Sequence, residues 1–191
     1  MGKLILLPLI MLSISFSANT AGATGTVTVG NVVFDETVTV NGTPLKLRGA
    51  AVLRYLAFFK AYAGALYLPP DASTQSFDKR HPQRLELSYY RDITGEDFDR
   101  ATRKKVADNV DAATLEALES RLDRLGTVYR DVRPGDRYAL TYIPGDGIEL
   151  SLNGTLLGRF AGSDFAEALY SIWLGQNPID TDFRDALMGL R

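Results

Sequence analysis

From Gly25 onward, apolar and polar residues alternate with the two-residue period of half-buried strands. Residues 32–40, VVFDETVTV, keep that period as one strand. Asn41-Gly42 then offers a two-residue turn, and Pro44 to Leu47 begins the return strand. Residues 47–69 are the most apolar stretch outside the N-terminus. In a β reading, Phe58, Lys60, Tyr62, Gly64 and Leu66 share one face, and Phe59, Ala61, Ala63, Ala65 and Tyr67 the other. Both faces are largely apolar, which predicts a central strand covered on both sides. No turn residue marks the link near residues 55–57, whereas Pro69-Pro70-Asp71 ends the stretch cleanly. Residues 84–90 alternate again.

The period then changes. Thr94 is placed as an N-cap, with Asp97 three residues on, and Phe98, Ala101, Val106 and Val110 fall on one helical face. Arg103, Lys104 and Lys105 fall on the other, predicted solvated, face. Asp111 caps a second helix whose Leu115, Leu118, Leu122 and Leu125 form a core stripe, with Gly126 as its expected end. Strands follow at residues 137–143, 148–152 and 155–160, joined by PGDG and by Asn153-Gly154. Gly162-Ser163 precedes a helix over 164–174, and a short last helix runs from Asp180 toward Leu190. Strands, helices, strands, helices in this order predict an α+β domain: an antiparallel sheet with its helices on one side.

Composition narrows the chemistry. The 191 residues are 46% hydrophobic and 23% charged, enough for one domain with its own core. A formal charge of -2 gives nucleic acid no footing. The absence of cysteine removes thiol catalysis, disulfides and cysteine-based metal sites. The single histidine, His81, precedes a proline in a polar loop. No phosphate loop, dinucleotide fingerprint, nucleophile elbow or HExxH motif occurs, so no metal and no cofactor is expected.

Lys3, the apolar run Leu4 to Phe16 and Ala21-Gly22-Ala23 have the layout of a secretory signal. Residues 1–23 are therefore expected to be a signal peptide and residues 24–191 an exported domain, periplasmic or secreted. No membrane-spanning segment is expected after cleavage. Residues 47–69 are long enough to span, but Arg54 and Lys60 near the centre would each cost about 2.5–3.5 kcal/mol in a bilayer. Inside a domain the same two cations, with Tyr62, are polar groups in apolar surroundings. They require partners, and an anionic ligand is one candidate.

Four segments carry a resemblance. GAAVLRYLAFFKAYAGALYLP is similar to the signature strand pair of the chalcone isomerase superfamily, especially its bacterial exported branch. RDITGEDF, TYIPGDGIELSLNG and FAEALYSIWLGQNPID match other segments of that family in the same order, over residues 32–190. The resemblance implies an open-faced β-sandwich, a large antiparallel sheet covered by helices with a ligand cleft between. It also implies residue roles. Arg54 matches the arginine that holds an anion, and Tyr62 stands at the position where fatty-acid-binding members carry a tyrosine. Phe98 occupies the place of the isomerase's tyrosine and lacks its hydroxyl. Ala101 and Lys105 replace a lysine and an asparagine, and Ser171 stands where the isomerase has a hydroxyl on its C-terminal helix.

Three functions follow. The first is a non-catalytic binder of a fatty acid or similar anionic apolar molecule, gripped by Arg54 and Tyr62 with Lys60, Phe98 and Ser171 nearby. The second is an intramolecular lyase of the chalcone isomerase type, with Arg54 stabilising an oxyanion. The third is a structural or interaction module in which Arg54 pairs with an internal acid such as Glu86 or Glu149.

Overall fold

The computed structural model describes residues 25–55, 59–72 and 77–190. The expected signal peptide lies outside them. Among the described residues, nine strands and four helices run in the order β1 (Thr26–Val29), β2 (Val32–Asp35), β3 (Thr37–Val40), β4 (Thr43–Tyr55), β5 (Phe59–Leu68), β6 (Gln83–Tyr89), α1 (Gly95–Ala107), α2 (Ala112–Val128), β7 (Arg137–Ile143), β8 (Gly147–Leu152), β9 (Thr155–Phe160), α3 (Ser163–Leu174) and α4 (Thr181–Leu187). Strands β3 to β9 form one seven-stranded antiparallel sheet in sequence order, and β1 pairs with β2 in a separate hairpin. All four helices contribute to the core on one face. The β1–β2 hairpin covers part of the other, where Phe34 packs with Val40, Leu45, Ala63, Ala65 and Tyr67. The architecture is the expected α+β, helix-covered antiparallel sheet.

Residues 32–40 are two strands rather than one. The chain turns from hairpin to main sheet at Glu36, whose N–H donates to Gly25 and whose carbonyl accepts from Leu47. Alternation cannot reveal this, because both halves bury the same parity. Within the stretch 47–69, Leu47 to Tyr55 lie in β4 and Phe59 to Leu68 in β5, and no helix among the described residues is long and apolar enough to cross a membrane. These strands, β4 and β5, pair from Lys46↔Leu68 to Tyr55↔Phe59.

One irregularity matters for the site. Leu53 pairs with Tyr62 but Arg54 pairs with Lys60, which leaves Ala61 extra in β5. A bulge of this kind breaks the two-residue alternation. Tyr62 therefore faces the helices, packed edge-on against Tyr89 and Phe183. The expectation that Lys60 shares that face fails, since its ammonium lies over the ring of Tyr90, which packs with the opposite core.

The helices begin as the caps predict. Thr94, Asp111 and Asp180 accept from the backbone N–H three residues on. Gly162 starts α3 without a side-chain cap. Helix α2 runs two residues past Gly126, correcting its expected end. A β-carbon at Gly126 would stand 2.7 Å from the carboxylate of Asp99, so this glycine serves close packing of α1 against α2. Arg103 holds that carboxylate and those of Glu119 and Asp123 across the same seam.

Candidate functional site

Between the sheet and its helices lies an apolar cavity of about 260 Å³. Its floor is the helix-facing row of the sheet: Tyr62, Leu85, Leu87, Tyr89, Tyr138, Leu140 and Leu150. Leu169, Ile172 and Trp173 of α3 close one side. Helix α1 supplies Asp97, Phe98, Ala101, Thr102 and Lys105, a spacing that keeps all five on one face. Ala101 is exposed and Ile179 is 40% exposed, so the rim reaches solvent beside α1 and the turn before α4.

The polar groups of this wall are few. Trp173 Nε1 donates to the Tyr62 hydroxyl at 2.9 Å, which leaves the phenol proton free to donate. Thr102 Oγ1 and the Tyr129 hydroxyl are 2.9 Å apart. Tyr138 is engaged by the backbone of Arg130 in both senses, accepting from its N–H and donating to its carbonyl. The Tyr89 hydroxyl makes no hydrogen bond with any described residue, while its ring packs among Tyr62, Phe98 and Tyr138. Burial raises the pKa of Tyr62, Tyr89, Tyr129 and Tyr138, so all four are neutral phenols at physiological pH.

Among the described residues that line the cavity, Lys105 is the single cation and Asp97 the single acid. Lys105 Nζ lies 3.3 Å from the carbonyl of Pro178 and 3.6 Å from Asp108. Asp97 is turned to Thr94 and Arg100. Eight helical residues separate them, about 12 Å at 1.5 Å per residue, so they mark opposite ends of the α1 wall.

The structure brings some of the residues singled out in the sequence together and separates others. Tyr62 and Phe98 line the cavity. Arg54 does not, and the expectation of a buried cation there is corrected: Arg54 is exposed. It follows Leu53, which faces the helices, and pairs across the sheet with Lys60, so both cations belong to the other side. Arg54 and Tyr62 therefore do not converge. Ser171 donates to the Ala168 carbonyl at 2.6 Å and lines a separate polar groove with Asn109, Gln176 and Arg184. Neither internal acid offered to Arg54 is available. Glu86 is held by Arg84 and Arg137, and Glu149 by Arg159. Lys105, expected on a solvated face, is on the cavity wall instead, because the α1 stripe facing the sheet is wider than its apolar residues alone mark out. Among the described residues no group of three or more metal-ligating side chains occurs.

The sequence matches the chalcone isomerase-like family over residues 26–189. The chain belongs to that family. Among solved structures, a fatty-acid binding protein of Arabidopsis thaliana is similar, with a TM-score of 0.64 and 13% sequence identity. The match covers 87% of this chain and 97% of that one, and at such identity it speaks for the fold. No curated protein matches the chain in sequence.

Proposed function

We propose that this chain binds a fatty acid or similar apolar monoanion in the cavity and does not transform it. One observation carries the reading: a largely apolar cavity between sheet and helices with a single cation on its wall, Lys105. Its volume of about 260 Å³ lies just below the ~300–1,000 Å³ typical of small-molecule sites, which favours a short chain. The carboxylate sits at Lys105, away from Asp97, and the tail lies over Leu85, Leu87, Leu140 and Leu150. The printed description of the Arabidopsis structure as a fatty-acid binding protein supports the same class of ligand. The isomerase reading has less support, since Phe98 has no hydroxyl and Arg54 lies off the cavity wall. We also read residues 1–23 as an export signal, which N-terminal sequencing of the protein recovered from outside the cytoplasm would test.

The binding experiment uses delipidated protein, an environment-sensitive apolar dye and saturated fatty acids of increasing length as competitors. Saturable displacement is expected, with an optimum length, and methyl esters should compete about tenfold or more less well, as loss of a charge-assisted contact implies. No saturable displacement at any length would end the proposal. Equal competition by acid and ester would end its anionic part.

A further inference from the structure

The corner of the sheet where β4 meets β5 is basic and apolar at once. Arg54 and Lys60 are directly opposite each other across the strand pair, and Tyr55 is opposite Phe59. Like charges placed opposite in a sheet repel. No acid relieves them: among the described residues neither takes part in an ion pair, and Arg91, the third cation, takes part in none either. Asp92 follows Arg91 in the chain and pairs with none of the three. The guanidinium of Arg91 lies 5.7 Å from the ring centre of Phe59, and the Lys60 ammonium 5.3 Å from that of Tyr90. Phe59 is 53% exposed, the most open large apolar side chain among the described residues. The chain carries a formal charge of -2, and several arginines elsewhere, Arg103, Arg121, Arg137 and Arg159 among them, are met by a carboxylate.

An exposed aromatic beside one unpaired cation, with two more on the opposite face of the same strand ends, makes an edge that fits a surface offering apolar depth beneath a layer of negative charge. We propose that this corner docks the protein on bilayers rich in anionic phospholipid. Phe59 enters the boundary between headgroups and acyl chains, and Arg54, Lys60 and Arg91 meet the phosphates. Such a two-part contact is reversible, because one ring and a few cations fall short of a permanent anchor. The corner also adjoins the cavity. Tyr62 lies two residues from Lys60, and Tyr89 two residues before Arg91, and both line its floor. Docking would therefore bring the ligand cavity to the membrane from which an apolar ligand comes.

The test is co-sedimentation of the full chain with phosphatidylcholine vesicles, with and without phosphatidylglycerol, at low and at physiological salt. The readout is the ratio of the two partition coefficients. Lys3 and the apolar run from Leu4 to Phe16 are common to every variant, so differences in the ratio between variants isolate the electrostatic contact of the corner. Wild type should prefer the anionic vesicles, less so at higher salt. Each of Arg54→Ala, Lys60→Ala and Arg91→Ala should lower the ratio roughly fivefold, and the triple variant roughly a hundredfold. Phe59→Ser should weaken binding to both vesicle types and leave the ratio alone. Lys46→Ala serves as the control. It is exposed on the same strand, eight residues from Arg54 and about 26 Å away at 3.3 Å per residue, so the ratio should stay. Unchanged circular dichroism confirms that each variant is folded. A wild type indifferent to phosphatidylglycerol, a triple variant that keeps its preference, or a Lys46→Ala loss as large as that of Arg54→Ala would each overturn the proposal. Because no ligand is added, failure here leaves the cavity reading untouched.

Discussion

Replacing Lys105 by methionine should separate ligand recognition from folding. Methionine keeps an unbranched side chain of similar reach and removes the charge. In the free protein the charge does little for stability. Its nearest carboxylate, Asp108, is 3.6 Å away and is already paired with Lys104 at 3.1 Å. Pairs of this partly solvated kind contribute about 0–1 kcal/mol. Apolar contact of the stem with the wall is retained, so unfolding temperature should move by no more than a few degrees. Binding is another matter. A carboxylate seated in an apolar cavity has one cation within its walls, and losing that contact should cost about 1.5–3 kcal/mol, a factor of roughly 10 to 150 in affinity. The assay is dye displacement by a fatty acid and by its methyl ester, on wild type and Lys105→Met. The acid should lose its advantage in the variant while the ester binds as before. An acid preference that survives the substitution would place the carboxylate elsewhere in the fold and refute the assignment. A large drop in unfolding temperature would show instead that Lys105 is structural.

Other consequences are open to measurement. Arg54→Ala should leave thermal stability within about 2 °C of wild type, or raise it slightly, because it removes a like-charge neighbour worth roughly 0.2–1 kcal/mol. A loss of several degrees would reveal a partner for Arg54. Gly49→Ala should cost about 1–3 kcal/mol, read from denaturant unfolding. An added β-carbon would stand 2.1 Å from the backbone carbonyl of Ala186 and 2.7 Å from that of Leu187, where α4 comes down on β4, and backbone cannot step aside. The carboxyl of Asp164 is lowered to about 2 by its bonds to Arg121, from an ordinary value of 3.8. Its stabilising contribution is thus complete above about pH 4 and lost as pH falls toward 2. Asp164→Asn should flatten that part of the stability-versus-pH curve, with stability slightly lower than wild type near neutrality and converging with it toward pH 2. The effect will be modest, since the Asp164 side chain is more than half exposed.

Much of this protein is determined by local sequence. Strand period, Asn-Gly turns and capping side chains act over a few residues, and their energies do not depend on distant packing. That is why the antiparallel sheet and the starts of α1, α2 and α4 follow directly from the chain. The leucine stripe of α2 likewise buries as its spacing demands, with Leu118, Leu122 and Leu125 almost fully enclosed. The tertiary structure decided what depends on one residue more or less in a strand, or on a second element arriving. The extra Ala61 in β5 sends Lys60 and Tyr62 to opposite sides of the sheet, so the anionic grip expected from Arg54 and Tyr62 is divided between two faces. No composition signal announces such a bulge, because both faces of β5 are apolar. Lys105 reads as a solvated helix cation until the Pro178 turn and α3 fold over it and make it part of a cavity wall. Gly126 reads as a helix end until Asp99 of α1 occupies the space its side chain would need. In each case the deciding energy is excluded volume or register between segments far apart in the chain, which alternation and spacing along a single segment cannot encode.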